Sequence, residues 1–196
     1  MNYHVVKFTG PFGFIKPWTA VRDSETFSQQ FLTPSITEGI EKKLFPELLN
    51  EQNFPKGTIY KIKRHRLSYE QMSQQQEQIQ PRGWNKTKNS YLRPNAILIR
   101  GILLNPTLWL AFNNKQDAEI AFRQHICLSR NEDILLPIEL MEIAMETFDA
   151  DSGTFPGFEL MFEKTKGSFI VGYNRYRNNE IMYGSVKIVG HPVKTF

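Results

Sequence analysis

The sequence contains only one cysteine among its 196 residues. Cys127 cannot form an internal disulfide, and a single cysteine excludes a Cys-rich zinc site. No stretch approaches the ~18 apolar residues that a membrane-spanning helix needs. The N-terminus also lacks the charged-then-apolar pattern of a signal peptide. We therefore expect a cytoplasmic protein without membrane contact.

Catalytic and metal-binding motifs are equally scarce. The four histidines are scattered without the spacing of metal ligands, and there is no P-loop, GxSxG or HExxH motif. Glu139, Glu142 and Glu146 recur at helical spacing, which a charged helix face explains better than acid–base chemistry. The sequence predicts no cofactor and no metal.

Positive charge is unevenly distributed along the chain, whose net charge is +4. Nine Lys or Arg and only two acids lie between Lys61 and Arg100, whereas 131–160 has eight acids and no Lys or Arg. Such a division is typical of a protein with one face made for phosphate, and ordinary surface variation is the alternative. We expect the acidic stretch after Asn131 to face another protein or solvent.

The densest basic cluster lies in the segment TIYKIKRHR, which we interpret as a strand over 58–66. Alternation would place Lys61, Lys63 and His65 on one face, and Arg64 and Arg66 on the other. Because a core strand would not hold so many cations, we expect its outer half to be solvated or to bind an anion.

The following segment, 67–91, resembles a packed element least. Glutamine dominates its first half, and its second half interleaves Trp84 and Tyr91 with Lys86 and Lys88. Cations that meet phosphates beside aromatic faces that stack on bases are typical of a surface for single-stranded nucleic acid. A disordered loop with a chance aromatic is the alternative.

The remaining pattern predicts an α+β fold. We expect a strand over 3–8, a helix with Ser35 as N-cap and Glu38 completing a capping box, strands over 96–104 and 108–112, and a helix from about Lys115 to Cys127. A short strand over 134–138 and strands over 158–162, 168–172 and 182–189 follow, the last two joined by a basic loop over 174–180. This order fits a ferredoxin-like β-α-β-β-α-β core followed by β-hairpins.

The first 45 residues resemble a known family. A strand leads to a Gly-Pro, an aromatic residue, an extended basic-polar segment, Thr-Pro-Ser and a Gly in the next helix. This is similar to the opening of the Cas-five family, the small RAMP-superfamily proteins of CRISPR effector complexes. The residues that carry the resemblance are Gly10, Pro11, Phe14, Pro17, Arg22, Ser24, Thr33, Pro34, Ser35 and Gly39.

The resemblance implies one RAMP-like domain over 1–196, in which 67–95 is a thumb-like insertion and 155–196 a C-terminal β subdomain. It also implies a Cascade-like complex in which this chain caps the 5′ handle of the CRISPR RNA (crRNA). Its partners would be that RNA, a large subunit and a backbone subunit, and its role would be antiviral defence.

The implied RNA-binding residues fall into four groups. Lys16, Trp18, Arg22 and Ser24 would lie near phosphates or bases, and Lys42 and Lys43 would add contacts from the helix. An electrostatic floor would consist of Lys61, Lys63, Arg64, His65 and Arg66, and a clamp of Trp84, Lys86, Lys88 and Tyr91.

Two other classes of function stay open. Some relatives of the Cas-five family cut precursor RNA without a metal, and here Lys61, His65 and Tyr69 would share one face if the basic strand continued. The third possibility is a protein-interaction module whose basic segment binds an acidic partner.

Overall fold

A large β-sheet with helices packed on it forms the body of the protein. The computed structural model describes residues 1–17, 25–79, 83–93 and 95–194. Its strands are β1 (Asn2–Thr9), β2 (Phe12–Gly13), β3 (Glu25–Phe27), β4 (Ile62–Ser68), β5 (Gln71–Ile79), β6 (Asn85–Lys86), β7 (Tyr91–Leu92), β8 (Ala96–Leu104), β9 (Thr107–Phe112), β10 (Ile126–Cys127), β11 (Ile134–Ala144), β12 (Gly157–Met161), β13 (Phe169–Asn174) and β14 (Glu180–Val189). The helices are α1 (Pro34–Leu44), α2 (Lys115–Phe122) and α3 (Met145–Ala150), and a 3₁₀ turn spans Pro46–Leu49.

Eight strands form one antiparallel sheet in the order β10-β11-β1-β9-β4-β12-β14-β13. Within it, α1 connects β1 to the region before β4, and α2 follows β9 and precedes β10 and β11. The protein is therefore of the mixed α+β class that the sequence predicts. The C-terminal strands β12–β14 extend this same sheet beyond β4.

The sheet carries an apolar core on each face. Val6 of β1 packs in a core that includes Ile40 of α1 and Ala118 of α2. Its neighbour Val5 packs in a second core, with Trp109 of β9 and Phe148 of α3. Because successive strand residues point to opposite faces, a sheet covered on both sides needs such consecutive apolar pairs.

Helix α1 begins two residues earlier than the capping pattern predicts. Thr33 is the N-cap, and Pro34 occupies the first turn, where its missing N–H costs no hydrogen bond. Ser35 is thus inside the helix, and its hydroxyl contacts that of Thr33 at 3.1 Å. Ile40 and Leu44 form the inward face of this helix and are buried.

Glu41, on the same helix, is fully buried and holds the chain that enters β4. Its carboxylate accepts hydrogen bonds from the backbone N–H groups of Tyr60 at 2.9 Å, Lys61 at 2.5 Å and Ile62 at 2.8 Å. A buried carboxylate is tolerated because these three donors replace its water. The strand consequently begins at Ile62, and the predicted start near residue 58 is wrong.

A second sheet corrects the prediction of an irregular segment after residue 67. The glutamine-rich stretch is strand β5, and it pairs with β8 over nine residues, from Gln71 opposite Leu104 to Ile79 opposite Ala96. Strands β2 and β3 also pair with β8 in this sheet, β2 near its end and β3 at its middle. Pairing with the apolar β8 overrides the weak strand propensity of glutamine. The predicted strand over 96–104 is confirmed, and within it Gly101–Leu103 are buried.

Three element boundaries also differ from the predictions. Helix α2 ends at Phe122, with Asn114 as its N-cap, and Ile126–Cys127 is a strand. Strand β11 runs through Pro137 for eleven residues, because a register shift opposite Phe8 accommodates the proline. The C-terminal hairpin, with its basic loop between β13 and β14, is confirmed.

We predict that Glu41→Gln lowers the free energy of unfolding by about 3 kcal/mol, because hydrogen bonds to a charged acceptor are lost and a buried amide N–H₂ is left facing donors. Urea unfolding followed by circular dichroism measures this change. Glu119→Gln is the matched control, because this carboxylate is accessible to solvent and lies 3.9 Å from Lys115. It should change stability by less than about 0.5 kcal/mol. Equal effects of the two variants would contradict the role assigned to Glu41.

Candidate nucleic-acid interface

The predicted electrostatic floor lies in the middle of the main sheet. Strand β4 runs between β9 and β12, and a register shift between Ile62 and Arg64 breaks the simple alternation of faces. Arg66 is 0% exposed, and His65 is 4% exposed. Lys63 is exposed, whereas Arg64 is mostly covered. The prediction of a five-residue cationic surface is corrected to one exposed lysine, because packed side chains cover both faces of the sheet at this strand.

The two arginines are neutralised inside the protein by acids from the stretch 131–160. Glu159, on β12, contacts Arg64 Nε at 2.5 Å and Arg66 Nε at 3.2 Å. Asp149 pairs with both guanidinium groups as well, at 2.8 Å from Arg64 Nη2. Hydrogen bonds from Arg64 hold the pKa of Asp149 well below its usual range, although burial opposes this shift. Glu159 is therefore buried, contrary to the expectation for that part of the stretch, whereas Asp149 remains 41% exposed.

Arg66 is held by the backbone as well as by carboxylates. Its guanidinium donates to the carbonyl oxygens of Phe148 and Phe155, the latter at 3.0 Å, and lies 4.1 Å from the Phe148 ring centroid. Every contact of this side chain is therefore within the fold, and its role is to join β4 to α3 and β12.

The three residues considered for RNA cleavage also have their partners within the fold. Lys61 Nζ contacts Glu47 at 2.7 Å and Asp117 at 2.9 Å, so that its pKa is raised although burial opposes the charge. Tyr69 is buried, which raises the pKa of its hydroxyl, and its ring stacks on Phe158. His65 stacks on Phe162 with 5.5 Å between ring centroids. The structure does not present these side chains together at an accessible surface.

The predicted RNA-contacting residues of the first extended segment and of α1 differ in how exposed they are. Lys16 is exposed, and Lys43 is exposed with its Nζ 3.1 Å from Cys127 Sγ. Lys42 pairs with Glu38 at 2.5 Å and is mostly covered. Trp18, Arg22 and Ser24 lie outside the described residues. Lys16 and Lys43 are thus the accessible cations of this group among the described residues.

The predicted clamp lies at the end of the β5–β8 pair, where β6 and β7 form a small hairpin of their own. Trp84 is 60% exposed and Tyr91 is 63% exposed, and Lys86 and Lys88 are exposed beside them. The Arg93 guanidinium lies 5.3 Å from the Trp84 ring centroid. We call β5, β8 and this hairpin the arm. Its tip offers aromatic faces and cations to solvent, as a single-strand binding surface requires.

A cleft that the sequence does not reveal lies beside strand β13, at the end of the main sheet. Its walls are the N-terminal turn of α1, residues 57–59 and the β13–β14 hairpin, and its volume is about 1170 Å³. The sequence indicated the hairpin and its basic loop. It could not indicate the facing wall, since the two residues that join the walls, Gly57 and Asn174, are 117 positions apart.

No group of three or more His, Cys, Asp or Glu within 1–17, 25–79, 83–93 and 95–194 could hold a metal ion. In the same ranges no helix is long and apolar enough to cross a membrane.

We predict that Arg66→Met destabilises the protein by about 3–5 kcal/mol, because the carbonyl oxygens of Phe148 and Phe155 lose their buried donor and Glu159 keeps only one of its two arginine partners. Lys63→Met, which removes the exposed cation of the same strand, should cost less than about 0.5 kcal/mol. Thermal or urea unfolding measures both. If Arg66→Met left stability unchanged, the structural role of this arginine would be wrong.

His65 should make stability depend on pH. Burial lowers its pKa from 6.5 to about 4, so between these values the unfolded chain binds a proton that the folded chain does not. The stabilising contribution is complete above pH 6.5 and is lost as the pH falls. Between pH 6.5 and pH 5 we expect a loss of about 2 kcal/mol. Urea titrations at the two pH values measure the loss, and His65→Phe should remove most of it; an unchanged slope in that variant would contradict this origin.

Comparisons with known proteins indicate a fold but no family. No protein-family model matches the chain, and no curated protein matches it. Among solved structures, a chain described as "CRISPR RNA-guided surveillance complex" superimposes with a TM-score of 0.52 at 9% sequence identity. The alignment covers 97% of this chain and 92% of that chain. This chain therefore shares its fold, over nearly its whole length, with a subunit of a CRISPR surveillance complex.

Proposed function

We propose that this protein is a CRISPR RNA-binding subunit of a Cascade-like surveillance complex, of the Cas-five kind. In this role it caps the 5′ handle of the crRNA and bridges to the large and backbone subunits. The observation that carries the proposal is the end-to-end likeness to a chain of such a complex. The N-terminal motif around Gly10, Pro11 and Thr33-Pro34-Ser35 supports it independently, because the motif is a property of the sequence alone.

The topology supports the more specific fold assignment. The four central strands have the order β11-β1-β9-β4 and are all antiparallel, with one helix after β1 and one after β9. This is the arrangement expected of a ferredoxin-like β-α-β-β-α-β unit. We infer that it is the RAMP core, that the arm corresponds to the thumb, and that β12–β14 are the C-terminal β elements.

The accessible cations and aromatics define the proposed RNA surface. Trp84 and Tyr91 would stack on bases, and Lys86 and Lys88 would neutralise phosphates. Lys16, Lys43 and Lys63 would add backbone contacts from the body. The proposed role is binding without cleavage, since Lys61, His65 and Tyr69 are occupied within the fold.

The proposal is tested by measuring binding of the purified chain to a labelled CRISPR-repeat RNA and to a scrambled RNA, with and without EDTA, across a salt series. We expect preference for the repeat, weaker binding as salt rises and intact RNA. The logarithm of the binding constant should fall by about 0.7 per phosphate contact for each logarithmic unit of salt. Cleavage that survives EDTA would replace this proposal with the endoribonuclease. Equal weak binding to both RNAs would favour an interaction module.

We also predict that Trp84→Ala combined with Tyr91→Ala weakens repeat-RNA binding at least about tenfold, because each base–aromatic stack contributes about 1–3 kcal/mol. Fluorescence anisotropy measures the change. The matched control, Trp84→Phe with Tyr91→Phe, keeps both rings and should bind within a factor of about three. Since both side chains are exposed, neither variant should alter the melting temperature. Unchanged affinity in the alanine variant would exclude the arm tip as an RNA contact.

A further inference from the structure

Hydrogen bonds between its two walls fix the shape of the cleft beside the β13–β14 hairpin. Asn174, itself buried, donates to the carbonyl oxygen of Gly57 at 3.0 Å and accepts from the N–H of Tyr176 at 3.1 Å. Arg177 donates to the Thr58 hydroxyl at 2.9 Å. Gly57 has a φ of +78°, and a side chain there would meet Asn174 at 2.5 Å. These contacts fix the hairpin loop against the body, so the cleft does not depend on a free loop.

Aromatic side chains line this cleft and face solvent. Tyr173 is 58% exposed and Tyr176 is 63% exposed, although both are large rings that could have been packed away. Tyr183 lines the cleft too, with Lys164 Nζ 4.7 Å from its ring centroid. Exposed tyrosine faces that share one concave surface are platforms for stacking flat groups such as bases.

The charge in the cleft favours an anionic ligand. Lys164, Arg175 and Arg177 line it, together with three carboxylates. One of these, Glu38, is already bound, by Lys42 at 2.5 Å and by the N–H of Gly57 at 3.0 Å. Three cations therefore stand against the two remaining carboxylates, Glu163 and Glu180, and the two arginines lie together in the hairpin loop.

The size of the cleft favours a chain over a single small molecule. Small-molecule pockets typically enclose about 300–1,000 Å³. This cleft exceeds that range at about 1170 Å³, and it lies along the surface between two walls. A ligand with flat groups and negative charges repeated along its length would use both the tyrosines and the arginines.

We propose that this cleft is a second binding surface for single-stranded RNA, separate from the arm. Bases stack on Tyr173 and Tyr176, and Arg175 and Arg177 neutralise the adjoining phosphates. The inference rests on the proposed function for the identity of the ligand as RNA. The tyrosines and arginines that carry it lie outside the arm and the N-terminal motif, although Pro34 and Ser35 of that motif form part of the facing wall.

The test uses two double variants of the full chain. The first combines Tyr173→Ala and Tyr176→Ala, and the second replaces the same two tyrosines by Phe and so keeps both rings. The probe is a fluorescein-labelled single-stranded repeat RNA, followed by anisotropy, with ultraviolet cross-linking and peptide mapping in parallel. We expect the alanine variant to bind at least about tenfold more weakly and the phenylalanine variant to bind nearly as wild type. Cross-links in wild type should map to residues 173–177.

A second measurement separates charge from stacking. Arg175→Ala with Arg177→Ala removes two cations, so the slope of log K against log salt should become shallower by about 1.4. Melting temperatures of all variants are recorded, because Arg177 also contacts Thr58, and Arg175→Ala alone provides a variant in which that contact is intact.

The outcomes distinguish the two proposals. Unchanged affinity in the double tyrosine-to-alanine variant, with cross-links confined to the arm, would overturn the cleft and leave the proposed function standing. Cleft-dependent binding without any preference for the repeat would support the cleft and overturn the handle-capping role. Absence of RNA binding by the wild-type chain, or capture of an acidic peptide instead by the cleft, would overturn the RNA surface.

Discussion

The arrangement of strands in this protein depends on the ion pairs that the Glu159 carboxylate makes with Arg64 and Arg66. Strand β12, which carries it, is the first of the C-terminal strands and pairs with β4 at the seam of the main sheet. The seam is close, since a side chain at Gly157 would meet Arg66 Cβ at 2.7 Å. Two arginines cannot be buried there without anionic partners. The acids of α3 and β12 therefore join the C-terminal strands to the rest of the fold.

If the protein binds RNA as proposed, this seam also limits where the RNA can be contacted. The densest basic segment of the sequence is used inside the protein, so its charge is not available to a phosphate backbone. The two proposed RNA surfaces are therefore peripheral, namely the arm tip and the β13–β14 hairpin at the end of the main sheet. Both are hairpins that combine exposed aromatic rings with cations.

The two surfaces differ in how firmly they are held. The arm tip rests on short strands of two residues each, β6 and β7. The hairpin loop of the cleft is bound to the body through Asn174 and Arg177. We infer that the cleft is the more pre-organised of the two, so that less ordering of the chain accompanies binding there.

The α+β class, the C-terminal hairpin with its basic loop, and the aromatic and basic composition of the arm tip could be predicted from the sequence alone. These follow from local periodicity and from residue types whose preferences act over a few positions. Only the tertiary structure decided that Arg64, His65 and Arg66 are interior, that the glutamine-rich stretch is a strand, and that Gly57 and Asn174 shape a cleft. Each of these depends on a partner far away in the chain, namely Glu159, strand β8 and the facing wall of the cleft. A linear pattern does not encode which distant residues will satisfy a buried charge or pair with a strand, because that choice is made by the packing of the whole sheet.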